Sequence, residues 1–410
     1  MPPLPRSPQN IRTLRKPSPR GPKPSAPPTN ANDREGDLRQ RFSRALTALG
    51  FFPGDSAALA VSGGGDSVAL MHLFADWAKR EKVTAPAVLI VDHGLSSGSE
   101  KDAARVAQWA QAIGLNANIL RWQGRKPASN IEDRARDARY GLLGEWCVRH
   151  GATNLFLAHT REDQAETFLL RLGRGSGIDG LSGMRVIAPL PVPGFTDLRV
   201  LRPLLDAGRA ELRDYLLERG ARWLEDPMNR DTRFARVRIR KALPELEQAG
   251  IPARRIVEAA HHLARAREAL EAATEEFLGN HARLDDDFAL LDGAALGRAH
   301  REIGLRALSA VLMRVAGARY RPRFERLEAL FDAILSGELA ARTLSGCRVG
   351  HAPKARAAFG PATLLIAREP ARKAGLRGIN VIKTGPPDNI ARGQLKNSAK
   401  LPQKGRNRPI

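Results

Sequence analysis

Ser62-Gly63-Gly64-Gly65-Asp66-Ser67 follows the apolar run 57–61 and opens a helical pattern over 67–77, an order that reads as strand, glycine turn and helix. Three successive glycines let backbone N–H groups turn inward with no Cβ in the way, and the helix start adds partial positive charge. Such a stretch is a cradle for phosphate. It is not the nucleotide-hydrolase loop, which needs Lys-Ser or Lys-Thr after its second glycine; Asp66 and Ser67 stand where that pair would be. A glycine turn with no ligand is the alternative, and only residues further along separate the two.

Outward from the loop, apolar runs at 87–92, 116–122 and 154–158 alternate with helical patterns. Strand and helix in alternation predict an α/β fold, a parallel sheet covered on both faces, with ligands beyond the carboxyl ends of its strands. Ser62 ends the first strand, Asp92 and His93 the second, His159 and Thr160 the fourth, so one crevice gathers them. Helical patterns at 251–278, 299–315 and 323–335 predict a second, mainly helical domain, closed by short β-like runs at 342–349 and 362–368. The expected boundaries are a Pro- and Arg-rich disordered tail over 1–34, a catalytic domain over 35–245, a mainly helical domain over 246–369 and a disordered basic tail over 370–410.

The chain of 410 residues carries 66 Lys and Arg against 44 Asp and Glu, a net charge of +22, and a pI near 11.0. That balance points to a polyanionic partner, nucleic acid ahead of an anionic membrane surface. Much of the excess lies at the ends: residues 1–33 hold six basic residues and one acid, residues 370–410 ten and one. The two cysteines, Cys147 and Cys347, have no paired spacing, which opposes a disulfide framework, a zinc site or an iron–sulfur cluster and fits buried thiols in a reducing cytoplasm. No apolar stretch reaches the roughly 20 residues of a membrane span, and the N-terminus lacks a secretory core.

Four further segments carry chemistry. Asp92-His93-Gly94-Leu95 sits at a strand end. Arg136 and Arg139 share a helical face, with Glu132 four residues before Arg136, either as an exposed ion-paired helix or as two guanidiniums offered to an anion. In the run from Ala158 to Thr167, Asp163, Glu166 and Thr167 share one face of a helix just after a strand; paired carboxylates suit a cationic substrate, or merely the helix N-terminus. Arg174-Gly175-Ser176-Gly177 is a basic loop or an ordinary helix stop. Finally, Arg202-Pro203-Leu204-Leu205 precedes Trp223, Glu225-Asp226-Pro227 with Asn229 and Asp231, and then Arg236, Arg238 and Arg240.

The glycine loop resembles the pyrophosphate loop, or PP-loop, of the N-type ATP pyrophosphatases, and the segments in order resemble the tRNA(Ile)-lysidine synthetase family over roughly residues 57–245. The resemblance implies a Rossmann-like PP-loop domain and a reaction in two steps on the isoleucine tRNA with a CAU anticodon. The C2 oxygen of the wobble cytidine attacks the α-phosphate of ATP and pyrophosphate leaves; the ε-amine of free L-lysine then attacks C2 and AMP departs. It assigns Ser62, Gly63, Gly64, Gly65, Asp66 and Ser67 to ATP, with Mg²⁺ on the phosphates through residues left unknown. Arg139, His159, Asp163 and Glu166, with Asp66, fall at catalytic positions near adenylate and lysine, Arg174, Arg236 and Arg238 at tRNA-binding ones, and the mainly helical domain over 246–369 becomes the tRNA-binding domain. The general base is not fixed; Asp163 or Glu166 serves if burial raises its pKa. The oligomeric state also stays open, a homodimer being one option. Three positions depart from the family pattern: Thr160 replaces a usual His, Glu162 a usual Asp, and Val237 a usual Asn. A tRNA 2-thiolase is the nearest rival, opposed by the missing cysteine pairs, and a non-catalytic RNA-binding protein is opposed by the intact loop.

Overall fold

The computed structural model describes residues 31–369 apart from 96, 125, 127–129, 226–232, 234 and 319, and not the side chains of 31–37 and 132. Both basic tails, and the expected turn around Asp226, Pro227, Asn229 and Asp231, lie outside the described residues. The chain divides into two units between Glu275 and Glu276.

In the first unit the expected strands form as β1 (Ala57–Ala60), β2 (Ala87–Asp92), β3 (Ala117–Arg121) and β4 (Asn154–Phe156), with helices α2 (Gly65–Glu81), α3 (Ser99–Ala112) and α4 (Ile131–Arg149) between them. An N-terminal helix α1 spans Ala31–Ala48, so it begins inside the stretch expected to be disordered up to residue 34. Beyond β4 come α5 (Arg161–Leu172), α6 (Ile178–Leu181), β5 (Ile187–Pro189), β6 (Arg199–Leu201), α7 (Arg209–Glu218), α8 (Ala235–Gln248) and α9 (Ala253–His281), whose residues from Glu276 on belong to the second unit. The sheet order is β3-β2-β1-β4-β6-β5, parallel except for the antiparallel edge strand β5.

Side chains alternate between the two faces with period two. Leu59, Val88, Phe156 and Leu201 enter one core with Phe42, Phe74, Trp77 and Leu212. Ala58, Leu89, Leu155 and Val200 enter the other with Tyr140, Leu143 and Cys147 of α4. Burial on both faces is why these short runs are nearly all apolar, each large side chain contributing about 1.5–3 kcal/mol. The sequence reading missed β5 and β6, three residues each; β6 is tied to β4 by Arg199, whose Nη2 donates to Asn154 Oδ1 at 2.7 Å.

The second unit holds β7 (Ala282–Leu284), β8 (Phe288–Asp292), α10 (Gly293–Arg298), α11 (Arg301–Ala316), α12 (Phe324–Leu335), β9 (Arg342–Leu344), β10 (Cys347–His351) and β11 (Thr363–Arg368). Its sheet, β7-β8-β11-β10-β9, is antiparallel throughout. The helices form as expected, but the sheet is larger: β7 and β8 add to the two predicted runs. The run 342–349 is a hairpin, broken at Ser345 and Gly346, both with positive φ (52° and 77°), which matches a two-residue hairpin turn. Cys147 and Cys347 are free and buried. Among the described residues no helix is long and apolar enough to cross a membrane.

Candidate active site

The loop begins as β1 ends. Gly63 takes φ +91°, a conformation for glycine, and its carbonyl accepts from Leu224 N–H at 2.8 Å. Ser62 N–H donates to Ser67 Oγ (3.2 Å), and Ser67 Oγ donates to Gly64 O (2.9 Å), so the loop is laced before any ligand arrives. Trp223 and Leu224 flank it; a Cβ on Gly65 would lie 3.7 Å from the Trp223 ring. Around the loop opens a cavity of about 760 Å³. Leu89, Val91 and His93 line it on the β2 side, and His159, Asp163, Arg209 and Arg240 on the side of β4.

That second wall is ionic. Arg209, the first residue of α7, donates from Nε to Asp66 (3.3 Å), from Nη1 to Glu166 (2.7 Å) and from Nη2 to Asp163 (2.6 Å), while its backbone N–H donates to Glu162 (3.0 Å). Burial opposes its charge, but the three carboxylates outweigh burial and hold the guanidinium firmly protonated. Glu166, fully buried, also accepts from Arg236 Nε (3.1 Å) and Arg240 Nε (2.8 Å). Asp163 closes a capping box at the start of α5: its Oδ2 accepts from both the N–H and the hydroxyl of Thr160, each at 2.9 Å. Thr160 thus has a structural task of its own, which accounts for a small hydroxyl residue at that position. Val237, the other departure in hydrogen-bonding capacity, is buried in α8.

The carboxyl pKa values separate. Burial pushes Asp66 up, helped by Asp163 and Glu162 and resisted by Arg209. At Asp163 burial also acts upward, but Arg209 and the Thr160 N–H prevail and hold it below the ordinary range. The condition under which Asp163 would act as a general base, a raised pKa, is therefore not met.

Both histidines of the crevice are neutral. Burial, then Arg139, lowers His93 to about 4, and burial, then Arg202, lowers His159 to about 3. Arg202 Nε donates to His159 Nδ1 at 3.1 Å, which leaves the proton on Nε2. The unfolded chain binds protons at these sites near pH 6.5, before the folded one does, so stability is retained above that pH and lost as it falls toward 4. Melting temperatures measured from pH 7 to 4 are expected to fall, and a His93→Gln, His159→Gln double variant to show a flatter decline.

The structure brings Ser62, Gly64, Gly65, Asp66, Ser67, Arg139, His159 and Asp163 to one cavity. Gly63 shapes the loop, Glu166 lies behind the wall, and Arg236 sits on Glu166. Arg174 and Arg238 are exposed and do not line it. Sequence reasoning missed Arg209, although a cation at the very start of a helix, against the helix dipole, was a signal.

A glycine loop at the first strand of a doubly covered parallel sheet, with its cavity at the strand ends, defines a PP-loop protein, and the family model described as a PP-loop domain matches residues 37–247. The tRNA(Ile)-lysidine synthase of Ruegeria pomeroyi is 42% identical over 293 residues, 72% of this chain and 67% of that protein. Those of Wolbachia pipientis (36% over 316 residues, 76% and 72%) and Methylobacterium nodulans (37% over 341 residues, 82% and 97%) are similar too. The chain belongs to the tRNA(Ile)-lysidine synthase family.

Proposed function

We propose that the chain ligates free L-lysine to C2 of the wobble cytidine of a CAU-anticodon isoleucine tRNA in the cytoplasm, using ATP. The cytidine O2 attacks the α-phosphate, pyrophosphate leaves, the lysine ε-amine attacks C2 of the adenylated base, and AMP leaves. The observation that carries this reading is the division of the cavity about the loop: an apolar wall with a neutral histidine on one side, which suits a nucleobase, and an ionised wall on the other.

Ser62 to Ser67 would hold the phosphates. Asp66 fits Mg²⁺, which takes one or two carboxylates and leaves its other positions to phosphates and water; bound there, the ion neutralises phosphate charge. Asp163, whose side chain is 12% exposed, is the carboxylate that a lysine ammonium reaches, whereas Glu166 at 0% orients three arginines. Asp163 then acts as an acceptor for the ammonium and not as the base that deprotonates it. Arg139 and neutral His159 offer donors to the adenylated base. Arg174, Arg236 and Arg238 contribute cations toward the tRNA. Burial raises the thiols of Cys147, to about 12, and of Cys347, which opposes delivery of sulfur in place of lysine.

Radiolabelled lysine is expected to enter unfractionated bacterial tRNA with ATP and Mg²⁺, and Asp66→Ala to abolish incorporation. AMP release without label in tRNA would replace lysine by another nucleophile.

A further inference from the structure

The sheet of the second unit has helices on one face. Leu291, Leu364, Ile366, Cys347 and Val349 pack there with Leu308, Leu312 and Phe331. Alternate residues point the other way, and register sets them in rows: Arg348 beside Ala367 beside Phe288, and Leu365 beside Leu290 beside Arg283. Leu290, like Thr363 in the next row, is buried, Phe288, Leu365 and Ala367 are half-buried, and Arg283 and Arg348 are exposed. Two arginine–aromatic pairs add to this face: Arg356 lies over the Phe288 ring at 4.8 Å, and Arg283 over Phe359 at 5.4 Å. Asp285, whose N–H donates to Phe288 O at 2.9 Å, ends the first row where the acidic turn Asp285-Asp286-Asp287 begins, and Asp292 stands beside Thr363 in the row beyond the second.

The second face of an antiparallel sheet is ordinarily polar. This one has an apolar, aromatic centre rimmed by guanidiniums. Stacked arginines shield the rings while keeping their charge outward, and the combination matches unpaired RNA, whose bases stack on aromatic and guanidinium planes and whose phosphates need cations. We propose that this sheet face docks an unpaired segment of the RNA substrate, with bases against Phe288 and phosphates on Arg283, Arg348 and Arg356. The inference rests on RNA being the substrate. It assigns RNA contact to the sheet, where the sequence pattern pointed to helices.

The test uses the full chain and a fluorescently labelled CAU-anticodon isoleucine tRNA transcript, with Kd measured from 50 to 200 mM salt. Arg283→Gln, Arg348→Gln and Arg356→Gln combined are expected to weaken binding about 10–100-fold and to lower the slope of log K against log salt by about 2–3, one phosphate contact per arginine. Phe288→Leu is expected to weaken binding with the slope unchanged, since stacking releases no counterions. ATP binding without tRNA stays at the wild-type level in all variants, which separates the effect from misfolding. Wild-type binding with an unaltered triple variant overturns this face alone, and a wild-type chain that binds no tRNA overturns the substrate reading along with it. A changed oligomeric state at unchanged RNA affinity overturns the proposal in favour of a second copy of the chain.

Discussion

Arg209→Met is expected to slow lysine transfer by about 10²–10³-fold, the cost of losing one preorganised electrostatic contact at a reacting centre, while the chain still folds and binds ATP. Arg209 is bonded to Asp66, Asp163 and Glu166 together. Without it Glu166 keeps Arg236 and Arg240, and Asp163 keeps Thr160, so stability falls by only about 1–3 kcal/mol. What is lost is the separation of two carboxylates: Asp66 and Asp163 would face each other with no charge between them, and the ammonium site would lose its geometry. Arg209→Lys keeps the charge as a single point that cannot fork to three acceptors, so it is expected to recover melting temperature more than rate. The decisive measurement is kcat and KM for lysine beside a thermal melt. A methionine variant that melts lower yet turns over at the wild-type rate would reduce Arg209 to a strut.

That Arg209 lay hidden while the loop was legible has a physical cause. The Ser62–Ser67 loop is local: glycines needed for one turn are adjacent in sequence, and the strand before it announces itself by an apolar run. Strands β1, β2 and β4, buried on both faces, were readable for the same reason. The arginine wall is assembled across the fold, Arg209 meeting Asp66 from 143 residues away, and no periodicity records such a meeting. Asp163 and Glu166 were legible as a face of α5 but not as to the partners they hold. Their spacing is the same whether they hold a substrate ammonium or a guanidinium of the chain itself. In the second unit β7 and β8 were lost beneath Asp285-Asp286-Asp287, an acidic turn that breaks the apolar pattern between two short strands. A helix-rich pattern prevailed there because α12 buries one stripe and α11 a long apolar run, whereas β8 presents apolar residues on both faces and so shows no alternation.

Gly63→Ala is expected to lower the melting temperature by roughly 5–10 °C and ATP affinity by at least about tenfold. A Cβ there would stand 2.6 Å from Leu224 Cδ1 and 2.7 Å from Val106 Cγ2. Val106 is fully buried and cannot yield. The backbone strain at φ +91° and the overpacking each cost about 1–3 kcal/mol, and a kilocalorie shifts melting by about 2–4 °C in a unit of this size. Leu224 is the side that gives way, and with it goes its N–H bond to Gly63 O, which moves Trp223 off Gly65 and unfastens the wall of the cavity. Gly64→Ala is the control: at φ −69° its Cβ meets only Ser62 Oγ, at 3.8 Å, so it is expected to melt like the wild type. Calorimetry on both variants, with ATP titration, separates strain from lost phosphate contacts. If Gly63→Ala melts and binds like Gly64→Ala, the loop is shaped by its surroundings and not by its glycine, and the six residues that announce the fold would owe their geometry to the segment around Leu224.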